Sequence, residues 1–116
     1  MIDEKRLIEL FLQLASLDSP SLEERTVADA VIAELTSLGL DVAEDDAASR
    51  IGGTTGNLFC RVPANWALQD LPDAVKSSSQ EVIFRQEQAP LLFSTHLDTV
   101  QPCRGKHVLL GADRIF

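Results

Sequence analysis

Two residues in this chain combine types and spacing that hydrolytic chemistry uses. His96 and Asp98 stand two apart in Leu91-Leu92-Phe93-Ser94-Thr95-His96-Leu97-Asp98-Thr99-Val100. In an extended backbone their side chains therefore leave on the same side. A neutral imidazole is a good ligand for zinc. A nearby carboxylate can accept the other ring N–H, fix the tautomer and raise the ligand's basicity. On residue types alone, a His-x-Asp is more often a pair of surface polar groups or a cap than a metal site.

The element expected to carry the pair is the apolar run just before it, residues 91–95 after Pro90. Such a run reads as a strand buried on both faces, as in a parallel sheet covered by helices. Open α/β sheets place their ligands at the carboxyl ends of such strands. Two amino-terminal helices would supply cover. Over residues 3–17, Leu7, Leu10, Phe11, Leu14 and Leu17 recur at helical spacing, with Asp3 as N-cap. The second helix starts from Ser21-Leu22-Glu23-Glu24, read as a capping box in which Ser21 bonds forward and Glu24 reaches back. Its stripe is Val27, Val31, Leu35 and Leu38, and Gly39 sits where a left-handed C′ residue is wanted.

Residues 40–44 alternate apolar and polar, and Asn57-Leu58-Phe59-Cys60-Arg61-Val62 looks like a strand. The two could pair antiparallel across the acidic, glycine-rich loop 45–56. That loop is not a phosphate cradle, because its glycines lead into a strand rather than a helix amino terminus. Asp45-Asp46 lacks the further spaced ligands a hard cation needs and reads as a solvated loop. In residues 63–88, Val82-Ile83-Phe84 could extend a strand and Trp66 could lie over a sheet edge. His107 is an isolated histidine before apolar residues and reads as a surface or core residue, not a ligand.

Ser94-Thr95-His96-Leu97-Asp98-Thr99-Val100, with Asp45-Asp46-Ala47, Ile51-Gly52-Gly53-x-x-Gly56-Asn57-Leu58 and Thr99-Val100-Gln101-Pro102 in the same order, resembles a large metallopeptidase family. That family includes peptidase T, glutamate carboxypeptidase, aminoacylase and succinyl-diaminopimelate desuccinylase, and the resemblance is nearest to the peptidase T-like branch. It implies an α/β fold: part of a zinc-exopeptidase catalytic domain, with a central mixed sheet and two amino-terminal helices packed on it. It gives His96 the first metal-ligand position and Asp98 the associated catalytic acid that holds it, with a cis peptide after Asp98. It implies two zinc ions, a bridging Asp, a Glu ligand beside a general-base Glu, a further acid and a last His. Only His96 and Asp98 have matching positions here. Gly111-Ala112-Asp113 echoes the bridging-Asp motif but lies too close to Asp98, and Arg114-Ile115-Phe116 resembles the strand before that motif.

Residues 1–116 are therefore expected to be the amino-terminal part of a longer enzyme, inactive alone. A lid domain through which members often dimerise is expected elsewhere. The expected substrate of the intact parent is a short peptide. Two other readings remain: a family member acting on acylated amino acids or a similar amide, and a non-catalytic α/β interaction module.

Composition bounds the rest. With 116 residues the chain is one domain at most. Eighteen acidic against 10 basic residues give a net charge of −8, which argues against nucleic acid or an anionic membrane as partner. No apolar run reaches the ~18–20 residues a bilayer span needs, and the start Met1-Ile2-Asp3-Glu4-Lys5-Arg6 reads as cytoplasmic rather than as a signal peptide. Cys60 reads as a small buried hydrophobe, and Cys103 as a loop cysteine open to oxidation.

Overall fold

The computed structural model describes residues 2–63, 91–112, 114 and 115. The expectations for Trp66, residues 82–84, Asp113 and Phe116 lie outside them. Contacts divide the chain into two units, Met1–Arg61 with His96–Phe116, and Val62–Thr95.

Helix α1 spans Glu4–Ser16. Asp3 caps it as expected, its carboxylate accepting from the Arg6 amide at 3.0 Å. Helix α2 spans Arg25–Ser37. Arg6 and Glu34 form an ion pair that ties the two helices. Helix α2 ends as its sequence dictates. Gly39 is left-handed at φ 76°, its amide donates to the Thr36 carbonyl, and the Leu40 amide reaches back to the Leu35 carbonyl. This is the Schellman arrangement.

The start of α2 differs from expectation. Ser21 does not cap it. The helix begins four residues later, at Arg25, whose amide donates to the Thr54 hydroxyl at 3.2 Å. Leu22 adopts a left-handed φ of 73°. That turn points the Glu24 carboxylate at the Leu22 amide, 2.7 Å away. A chain-distant hydroxyl has replaced the local cap, which no reading of residues 21–24 alone could show.

Strand β1 (Val42–Glu44) pairs antiparallel with β2 (Leu58–Cys60), in the register Val42–Cys60, Ala43–Phe59, Glu44–Leu58. The expected pairing is present, with shorter strands. Helix α2 lies against β1. The connecting loop holds an unexpected short helix, α3, at Ala47–Ile51. An Asp46–Arg50 pair one turn apart supports it, and left-handed Gly52 (φ 72°) ends it.

The expected central mixed sheet is absent among the described residues, where the one named sheet is this two-stranded antiparallel pair. The expected buried strand at 91–95 is not formed either. Leu91, Leu92 and Phe93 are 87–90% exposed, and the run has no strand partner among the described residues. A strand is a pairing relation, and an apolar run without hydrogen-bonded neighbours has no ladder to join. Leu110 and Ile115 form an isolated antiparallel bridge. Among the described residues the buried apolar ones are few: Val27, Ala28 and Cys103. Cys103, expected to be accessible in its loop, is 1% exposed and free of any disulfide.

Candidate functional site

The connection between α1 and α2 grips the segment that carries His96 and Asp98. Helix α1 must stop before Pro20, because proline disfavours helical backbone in the residue ahead of it. The chain then passes through Asp18, Ser19 and Ser21, all with short polar side chains. Each meets the 96–105 segment. The Asp18 carboxylate accepts from the Gly105 amide at 2.9 Å. The Ser19 carbonyl accepts from the Thr99 amide at 2.8 Å, and the two hydroxyls lie 3.1 Å apart. The Ser21 hydroxyl donates to Oδ2 of Asp98 at 2.5 Å. Beside them, Arg104 pairs with Glu23 at 2.6 Å. Gly105 takes a φ of 64°, which turns its amide toward Asp18.

His96 and Asp98 come together, although not on a strand. Nδ1 of His96 lies 2.7 Å from the Asp98 carbonyl oxygen and 3.0 Å from its Oδ1. Both neighbours are acceptors, so neutral His96 carries its proton on Nδ1 and leaves Nε2 with a free lone pair. The imidazole is largely exposed. The Asp98 carboxyl is held below the usual carboxylate range, first by the Ser21 hydroxyl and then, against an opposing cost of burial, by the His96 ring. The peptide after Asp98 is not cis. The cis bond among the described residues is Gln101–Pro102.

The donor set fits one corner of a metal site. An oriented imidazole with its outer nitrogen bare and a carboxylate on its inner nitrogen is the arrangement a first zinc ligand needs. Among the described residues no group of three or more His, Cys, Asp and Glu side chains could hold a metal ion. Zinc centres take three or four protein ligands, so the described residues do not by themselves make a centre. His107 is exposed.

Sequence reasoning singled out His96 and Asp98 and missed the residues that hold them. The sequence reads Ser21 as the start of the second helix, and its spacing gives Asp18 and Ser19 no role. The available signal was a run of three short polar side chains around Pro20, more than one N-cap requires.

No family model matches the chain. Over 105 residues it is 30% identical to YqjE, an uncharacterised protein of Bacillus subtilis (strain 168), a match covering 90% of this chain and 23% of that protein. Its structure is similar to that of aminopeptidase PepT from Bacillus cereus ATCC 10987, with a TM-score of 0.74 and 26% identity. That match covers 98% of this chain and 26% of the PepT chain. The chain thus spans about a quarter of the length of the proteins it matches. It is a small α/β structure resembling part of an aminopeptidase. No helix among the described residues is long and apolar enough to cross a membrane.

Proposed function

We propose that this chain is the amino-terminal part of the catalytic domain of a metal-dependent exopeptidase of the peptidase T-like kind. The observation that carries the reading is the His96–Asp98 geometry, found on a chain similar over 98% of its length to part of an aminopeptidase. In the intact protein, Nε2 of His96 binds a divalent metal, zinc being the ion the imidazole suits best. Asp98 keeps the His96 proton on Nδ1 and the ring in place. Two bound metals would polarise the scissile carbonyl and make hydroxide from water. The remaining ligands, the general-base glutamate and a domain for dimerisation would come from parts of such an enzyme with no counterpart in residues 1–116, which span about a quarter of the proteins they match. The substrates are short peptides, and the protein works in the cytoplasm.

The test begins with the reading frame downstream of Phe116. A Gly-Ala-Asp-Asp-type run followed by a Glu-Glu pair is expected. The extended product should hydrolyse tripeptides in a zinc- or cobalt-dependent way, whereas residues 1–116 alone should not. Hydrolysis of acylated amino acids in place of tripeptides would move the substrate to another branch. An extended product with neither motif nor metal-dependent activity contradicts the proposal.

A further inference from the structure

We infer that Ser21 is a positioning residue for the His96–Asp98 pair: its hydroxyl anchors Oδ2 of Asp98 so that Oδ1 remains turned to Nδ1 of His96. The inference rests on reading His96 as a metal ligand, and it assigns a role to a residue outside the motif that carries that reading.

Three observations support it. First, the two oxygens of Asp98 serve different partners, Ser21 at 2.5 Å and His96 at 3.0 Å. A carboxylate held at both oxygens cannot rotate away from the ring, whereas one held at a single oxygen can. Second, the Ser21 hydroxyl does nothing for helix α2, whose first amide is taken by Thr54 instead. Third, the turn that presents Ser21 is itself fixed. The Glu23 amide donates to the Pro20 carbonyl at 2.9 Å, the Leu22 amide to the Glu24 carboxylate, and the Thr54 amide to the Leu22 carbonyl at 2.9 Å. Ser19 meanwhile holds the backbone one residue beyond Asp98 through the Thr99 amide. Backbone and carboxylate are thus held separately, by two serines two residues apart.

The bond of Nδ1 to the Asp98 carbonyl does not need Ser21, but the charged bond to Oδ1 does. Nδ1 lies nearer the carbonyl, 2.7 Å against 3.0 Å, but a charged acceptor roughly doubles the strength of a bond, so Oδ1 adds substantially to the hold on the ring proton. Ser21→Thr and Ser21→Val are nearly isosteric and differ in the hydroxyl. Histidine nitrogen-15 and proton resonances of the 116-residue chain, read in mildly alkaline buffer, report the outcome. Wild type and Ser21→Thr should show a slowly exchanging, downfield Nδ1–H of His96 with Nε2 unprotonated. Ser21→Val should lose that proton signal to solvent exchange and drift toward a mixture of tautomers. Far-UV circular dichroism checks that the variants keep α1 and α2, and if valine disturbs the turn, Ser21→Ala reads the same resonance.

A hydroxyl-free variant with the wild-type resonance overturns the role of Ser21 and leaves His96 as a ligand position. A Ser21→Thr signal lost as fully as in Ser21→Val also overturns it, because shape rather than the hydroxyl would then matter. A wild-type ring protonated on Nε2 contradicts both the inference and the ligand reading.

Discussion

Two aspartates in this chain are held by hydrogen bonds, to opposite ends. Asp45 accepts from the Ala47 amide at 3.0 Å, the Asn57 amide at 2.7 Å and the Asn57 side-chain nitrogen at 2.9 Å. Every donor is local, and the product is a closed β1–α3–β2 unit. Asp98 accepts from Ser21, 77 residues away, and from His96 next door. Its bonds close no secondary structure. They orient an exposed imidazole. Asp45, adjacent to another acid in a glycine-rich loop, serves to close that loop. Asp98 uses the same chemistry to aim a side chain outward. A carboxylate becomes a site when its donors belong to groups that face away from the fold.

Gly56 offers the hardest way to break the local half of that contrast. A Cβ there would collide with the Asp45 backbone carbonyl and sit 2.7 Å from Asp45 Oδ1. Gly56→Ala should cost about 1–3 kcal/mol, as overpacking does, seen as a lower urea midpoint and weakened protection of the β1–β2 amides. Unchanged stability would mean that the loop is looser than its bonds imply. Ser19→Ala acts on the other half. It removes the buried hydroxyl bonded to Thr99 and should cost about 1 kcal/mol, the usual worth of one hydrogen bond. Its amide-exchange effect should centre on Thr99 and spare β1 and β2.

Much of the local half was legible in sequence and little of the distant half was. Asp3, Val27 and Gly39 act within a few residues, and the structure places them as their types require, whereas Leu38 at the end of the α2 stripe is exposed. The β1–β2 pair was readable because two alternating segments flank one loop. Helix α3 escaped because it has no apolar stripe, only an Asp46–Arg50 pair and Gly52. Ser21 was misassigned because a hydroxyl can serve a helix start or a residue 77 positions away, and nothing local decides between them. The run at 91–95 states by its composition that it wants burial but not against what, and here it stands exposed.

Acid sharpens the contrast by a smaller effect. Glu44 is held below the usual carboxylate range by the Gly56 amide and then Arg25, and Asp45 by the Asn57 side chain and then the Ala47 and Asn57 amides. Lowered carboxyls stabilise the fold above their unfolded pKa, near pH ~4, and lose that contribution as pH falls through the lowered folded values. The β1–β2 unit should therefore be insensitive between neutral pH and the carboxylate range and loosen below it. Asp45→Asn should flatten the acid limb of the unfolding curve. The smallest effect belongs to Arg104→Ala. The Arg104–Glu23 pair is exposed on both sides, and an exposed pair contributes little. Thermal unfolding should show no resolvable change.

The central claim is the proposal that His96 binds a metal together with ligands not found among the described residues. Metal analysis of the extended reading-frame product, wild type beside His96→Ala, tests it most directly. Wild type should hold two divalent ions per chain, and His96→Ala should lose at least one, with kcat/KM on a tripeptide falling by about 100-fold or more. An alanine variant that keeps its full metal content and its turnover would contradict the account.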